Sequence, residues 1–206
     1  MSNLWVFGDS FSTPLHHSPF PLSHSYKKWK GYYPPIFSEI IANELGMGLK
    51  GYGLGGGDNN SIFSSFIRCI NDIKEDDIIL IGWTHIHRFR MVDSDGWVSV
   101  VGMDGSGVVS EGFKKEMITN RMKYVGVWAG EVEEWISFIN FSFPKSKILH
   151  WTWDECSEIR SIHRFSGLET IREETGGEID DSHYSERGHL RLSQMVMKKL
   201  GGDKMI

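Results

Sequence analysis

Cysteine is scarce in this chain of 206 residues: Cys69 and Cys156 are its two thiols. Both sit in apolar stretches, so they read as buried free cysteines of a reducing compartment rather than as a disulfide framework. Long hydrophobic runs are missing too. No segment approaches the ~18 consecutive apolar residues of a membrane span. The first apolar run, Leu4 to Phe7, stops at Gly8-Asp9 with none of the layout of an export signal. Positive charge is in deficit, 22 basic against 27 acidic residues, for a net charge of −5. Lys27, Lys28 and Lys30 form the densest basic group, too small for a nucleic-acid footprint. Together these absences argue against a membrane or nucleic-acid partner and point to a cytoplasmic or virion-associated protein.

What is present is ordinary globular material. Hydrophobic residues make up 40% and charged residues 24% of the chain, and its 23.5 kDa suits one domain spanning residues 1–206. Leu4-Trp5-Val6-Phe7, a stretch near Leu49 to Gly53, Ile78-Ile79-Leu80-Ile81 and Lys147 to Trp151 read as buried strands. Between them lie helical patterns: one opened by Pro34-Pro35, one over Ile62 to Ile70 with Asp58 or Asn59 as its cap, and a long one over 114–142. Gly126 and Gly130 are candidate breaks in the long helix, whose apolar stripe runs through Val127, Ile136 and Ile139. A last helix covers Glu186 to Leu200. Residues 12–33 show no period and are expected to form an ordered surface loop. Residues 91–110 alternate Val with Gly, Asp and Ser, as a β-hairpin insertion would. Strands alternating with helices predict an α/β fold, a three-layer α/β/α sandwich around a central parallel sheet.

In such sheets the chemistry collects beyond the carboxyl ends of the strands. There the chain places Gly8-Asp9-Ser10-Phe11-Ser12, Gly55-Gly56-Gly57-Asp58-Asn59, Gly82-Trp83-Thr84-His85 and, near its end, Asp180-Asp181-Ser182-His183. A serine hydroxyl is a weak nucleophile that needs a histidine base, itself oriented by a carboxylate. Ser10, His183 and Asp180 supply those three types, and Asp181 competes for the acid role. A glycine-rich turn entering a helix offers N–H donors for an oxyanion, with Gly57 well placed beside the Ser10 amide.

Phe7-Gly8-Asp9-Ser10-Phe11-Ser12 resembles the first block of the SGNH/GDSL hydrolase superfamily. Asp180-Asp181-Ser182-His183 followed by Gly188-His189-Leu190 resembles its closing Asp-x-x-His block, and Gly55 to Asn59 is a looser match to the second. The resemblance implies a flavodoxin-like sandwich and serine ester hydrolysis without metal or organic cofactor. It implies Ser10 as nucleophile, His183 as base and Asp180 rather than Asp181 as orienting acid. It also implies an oxyanion hole from the N–H groups of Ser10 and Gly57. Where the family commonly shows Gly-x-Asn-Asp, this chain reads Gly82-Trp83-Thr84-His85. Thr84, His85 or Asn60 replaces the asparagine donor, or the enzyme is slow, or the site is assembled differently.

Asp9, Asn59, Trp83 and His85 are expected to line a substrate pocket. The loop histidines His16, His17 and His24 are expected to face solvent, with the cleft mouth as their alternative, a place open also to Trp29, Trp97 and Trp153. A small acyl ester, first of all an O-acetyl group on a glycan, is the expected substrate. Two other patterns carry less. Gly51-Tyr52-Gly53-Leu54-Gly55-Gly56 matches the dinucleotide fingerprint but follows the second strand, without an acid where a ribose needs one. His85 and His87 have no Cys, Asp or Glu at ligand spacing for zinc. The alternative to an enzyme is a weakened module of the same fold that binds carbohydrate or serves a structural role.

Overall fold

The computed structural model describes residues 2–15, 21–86, 88–93, 96–100, 115, 119–153 and 159–201. Its centre is a five-stranded sheet of β1 (Asn3–Gly8), β2 (Gly48–Gly53), β3 (Ile78–Trp83), β6 (Lys147–Thr152) and β7 (His163–Arg164). Every pairing is parallel and the order is β2-β1-β3-β6-β7, the doubly wound arrangement whose ligand site falls between β1 and β3. The central strands β1 and β3 are buried on both faces, which is why they read as unbroken apolar runs.

Alternation along each strand divides the core in two. Trp5, Phe7, Ile79, Ile81 and Trp83 face α3 (Asn59–Cys69) and α4 (Arg121–Ser142). Leu4, Val6, Leu80, Leu149 and Trp151 face α2 (Phe37–Leu45) and α6 (Glu186–Lys199). Helix α4 runs through Gly126 and Gly130 without a break. Its buried stripe is Val125, Ala129, Val132, Ile136 and Ile139, whereas Val127, expected in that stripe, is 55% exposed. At the amino end of β1, the buried Asp77 accepts from the Trp5 indole and the Asn3 amide, both at 2.7 Å. Burial opposes its charge, but these bonds and one from Lys74 hold its carboxyl below the usual range.

One more expectation changes. Residues 21–30, read as part of a loop, form helix α1 (Pro21–Lys30). Proline suits a first helical turn, and Tyr26 anchors the helix in a small third cluster with Leu15, Ile36, Ile171 and Ile179. The hairpin is present as β4 (Phe89–Asp93) paired antiparallel with β5 (Gly96–Val100). Residues 101–110 of the expected insertion lie outside the described residues, as do His16, His17, His87 and Cys156. Among the described residues, no helix is long and apolar enough to cross a membrane.

Candidate active site

Ser10 begins a single 3₁₀ turn, Ser10–Ser12, at the carboxyl end of β1. Asp9 caps it, its Oδ1 accepting from the Phe11 amide at 3.1 Å. The turn closes tightly over Gly8, where a Cβ would stand 2.2 Å from Ser12 Oγ. Ser10 is left part-exposed while Phe11 and Ser12 are buried beneath it. Of the two hydroxyls in Gly-Asp-Ser-Phe-Ser, the part-exposed one is that of Ser10.

His183 arrives from the other end of the chain. Its ring packs on Phe11 with centroids 4.8 Å apart, which sets the imidazole against the Ser10 turn. Its backbone is stitched to the segment before and within α5 (Ile171–Glu174): Ile171 donates to the His183 carbonyl at 2.8 Å, Arg172 to that of Asp181 at 2.9 Å, and Ser185 to that of Glu169 at 2.9 Å. The acid on the ring is Asp181, not Asp180. Asp181 Oδ1 lies 2.6 Å from His183 Nδ1 and accepts the His183 amide at 2.9 Å. The reason is the alternation of burial along this irregular segment. Ile179 and Asp181 face inward and Asp180 and Ser182 outward, so Asp181 and His183 share a face. Asp180 instead pairs with Arg172 on the surface, at 3.4 Å. Burial works against the Asp181 charge, yet the bonds from His183 outweigh it and hold the carboxyl below its ordinary value. A carboxylate on Nδ1 favours the tautomer that leaves Nε2 as acceptor.

The expected oxyanion donors are placed less favourably. The Gly57 amide donates to the Leu54 carbonyl at 2.9 Å, closing the turn that leads into α3. Thr84 Oγ1 donates to Asp9 Oδ2 at 2.8 Å. Asn59 is 5% exposed, and its side chain brackets the Thr84 backbone, accepting from the amide at 2.8 Å and donating to the carbonyl at 3.2 Å. These bonds fasten the end of β3 to the start of α3.

Asp9 is the hub of this side. At 2% exposure, its Oδ2 also accepts from Trp153 Nε1 at 3.1 Å and from Arg88 Nη1 at 3.3 Å. Asp9 and Asn59 therefore support the site from within rather than line a pocket. Trp83 is a core residue: it is fully buried, donates to His150 at 3.3 Å and stacks on Trp135. His85 does face this region, edge-on to Trp153 at 4.5 Å. Trp97 belongs to β5, and Trp29 is exposed on α1. His24, also on α1, bonds the Tyr33 hydroxyl at 2.8 Å. Among the described residues, no three His, Cys, Asp or Glu side chains gather as a metal site.

Sequence reasoning missed Arg88 altogether. A tight turn, with the Arg88 amide on the His85 carbonyl at 3.0 Å, folds it back toward Asp9. No local pattern marks a contact between residues so far apart along the chain.

No family model and no curated protein matches this chain. Solved structures do. An acetyl xylan esterase, Est2A, from the rumen bacterium Butyrivibrio proteoclasticus is similar over 98% of this chain, with a TM-score of 0.51 at 10% identity. The chain covers 65% of that esterase, less than two thirds of its length. A G-D-S-L family protein from Desulfitobacterium hafniense DCB-2 is similar over 97% of this chain and 99% of its own, with a TM-score of 0.40 at 11% identity. The strand order and the first of these likenesses show a doubly wound α/β fold of the kind that esterase has.

Proposed function

We propose that this chain is a serine ester hydrolase in which Asp181 takes the acid role. Ser10 Oγ bonds to the ester carbonyl carbon while its proton passes to His183 Nε2, and the carbonyl π pair moves onto oxygen. Collapse of that intermediate expels the alkoxide, which takes the proton from His183. Water then repeats the sequence on the acyl-enzyme and regenerates Ser10. Asp181 holds the imidazole and stabilises its charged form. The observation that carries this reading is the Asp181–His183 pair at 2.6 Å, packed through Phe11 against the part-exposed Ser10 turn. The chemistry calls for no metal or organic cofactor.

The substrate we favour is a small acyl ester such as an O-acetyl group on a glycan. The part-exposed Trp153 and His85, edge to face at 4.5 Å, support it, because aromatic faces can stack on sugar rings. The shared fold with an acetyl xylan esterase agrees with it. The test is labelling by a fluorophosphonate, together with acetate release from acetylated xylan and p-nitrophenyl acetate. Wild type should label and hydrolyse, and Ser10→Ala should do neither.

A second reading keeps the fold and drops turnover, leaving a carbohydrate-binding module. The engagement of the Gly57 amide and the Thr84 hydroxyl in internal bonds favours it. It wins if wild type neither labels nor hydrolyses but still binds xylan.

A further inference from the structure

Of the donors expected for a developing oxyanion at Ser10, the Gly57 N–H and the Thr84 hydroxyl are both engaged, which leaves the Ser10 N–H short of a second donor. One group with spare donors stands beside both loops. Arg88 Nη1 reaches Asp9 Oδ2 at 3.3 Å and the Gly57 carbonyl at 3.4 Å, so the guanidinium bridges the nucleophile turn and the glycine turn. Its plane lies over the Trp153 ring, 5.9 Å from the centroid. Arg88 Nε is buried with no hydrogen-bond partner among the described residues. A buried charged donor left unmatched is costly, so the guanidinium is held here at an energetic cost that its bonds to Asp9 and Gly57 only partly offset.

We propose that Arg88 is the electrophilic donor of this site, its guanidinium stabilising the oxyanion that forms when Ser10 attacks. The proposal rests on the esterase reading of Ser10. Asp9 neutralises the guanidinium at rest, so the site does not demand an anionic substrate. It presents N–H groups that strengthen as charge develops on the carbonyl oxygen. No proton leaves Arg88, whose guanidinium does not deprotonate in proteins. The electron pair stays on the carbonyl oxygen until the intermediate collapses. Such a group acts on the transition state more than on the bound ester, so kcat should carry the effect.

The experiment compares wild type, Arg88→Ala and Arg88→Lys on p-nitrophenyl acetate, a neutral substrate, with and without added ethylguanidinium. Melting temperatures show that each variant is folded. If Arg88→Ala does not fold, Arg88→Lys is read alone, its lost fork geometry predicting a fall in kcat of at least about tenfold. The expected result for folded Arg88→Ala is a kcat reduced by about 10²–10³, KM within about threefold, and saturable recovery with ethylguanidinium that wild type does not show. Unchanged kcat in folded variants overturns the proposal. So does a raised KM with kcat intact, or a loss that ethylguanidinium leaves untouched. If wild type labels with fluorophosphonate while these variants turn over normally, the Arg88 role falls alone. If wild type is inert, the esterase reading falls and takes this role with it.

Discussion

The two halves of the candidate site are built to different standards. On the side of His183, the candidate groups are brought together: Asp181 bonds the ring at 2.6 Å and Phe11 packs it against the Ser10 turn. On the side of Gly57 and Thr84, the groups named for the oxyanion bond other protein atoms, and Asp9 gathers Thr84, Trp153 and Arg88 onto one buried carboxylate. The first half is a carboxylate–imidazole pair packed against a hydroxyl-bearing turn. The second is a braced scaffold in which Arg88 is the member with an unmatched buried donor. The difference teaches that matching residue types at strand ends does not settle which N–H groups face a ligand.

The largest effect should come from separating the two aspartates of the first half. Asp181→Asn is expected to lower the rate of fluorophosphonate labelling by about 10³–10⁴, as the loss of an orienting carboxylate does elsewhere. Asp180→Asn, whose carboxylate meets Arg172 on the surface, should label within about twofold of wild type. The reverse outcome returns the acid role to Asp180 and removes the distinction drawn between the halves.

That pair also shows how far sequence reading reached. Strands β1 and β3 were legible because a sheet buried on both faces demands continuous apolar runs, and Ile78 to Ile81 has no other use. Ser10 and His183 were legible as candidates because their motifs sit at strand and helix ends. Asp181 was not separable from Asp180, because the choice depends on which way an irregular segment alternates. The backbone bonds donated by Ile171 and Arg172, and the one Ser185 donates to Glu169, decide that, and they are tertiary. Helix α1 was missed for a similar reason: its burial rests on Tyr26 rather than on a periodic stripe. Tyr26 and Lys30 then meet Glu174 from a distant part of the chain.

Acidity should weaken the two halves unequally. Behind Tyr184, His189 is buried with its ring stacked on Phe37. Burial, with His183 nearby, pushes it down to about 3, and burial pushes His150 down to about 4. An unfolded histidine takes up its proton near pH 6.5, whereas these stay neutral in the fold. Stability should therefore fall as pH drops from about 6.5, by up to about 1.4 kcal/mol per pH unit for each histidine. Asp181 adds a lower window. Its folded value is depressed, so its contribution is full above its unfolded value near 4 and lost as pH falls through the folded one. Melting temperatures between pH 7.5 and 4 should drop less steeply for His189→Gln than for wild type. Parallel curves for the two proteins would remove His189 from the account.

A smaller effect tests the braced half. Thr84→Val deletes the hydroxyl that donates to Asp9 while keeping shape. If Thr84 only supports Asp9, stability should fall by about 1–2 kcal/mol and turnover by less than about tenfold. A fall of 10² or more in kcat, with stability preserved, would make the Thr84 hydroxyl an oxyanion donor after all.

The smallest effect is expected at Ser12, within the turn that joins the halves. Its hydroxyl is buried, has no hydrogen-bond partner among the described residues and lies under Gly8. Removing a buried, unmatched hydroxyl relieves a desolvation cost and deletes no bond. Ser12→Ala should therefore leave melting within about 0.5 kcal/mol of wild type or raise it slightly, with labelling of Ser10 intact. Gly8→Ala is the matching probe from the opposite side, since its new methyl would occupy the space of the Ser12 side chain. Combining it with Ser12→Ala should recover part of the labelling lost by Gly8→Ala alone, because the clash is largely with Ser12 Oγ and Cβ. If Ser12→Ala alone abolished labelling, the nucleophile would be the buried hydroxyl. The turn would then have to open before any chemistry, and the exposure that singles out Ser10 would count for nothing.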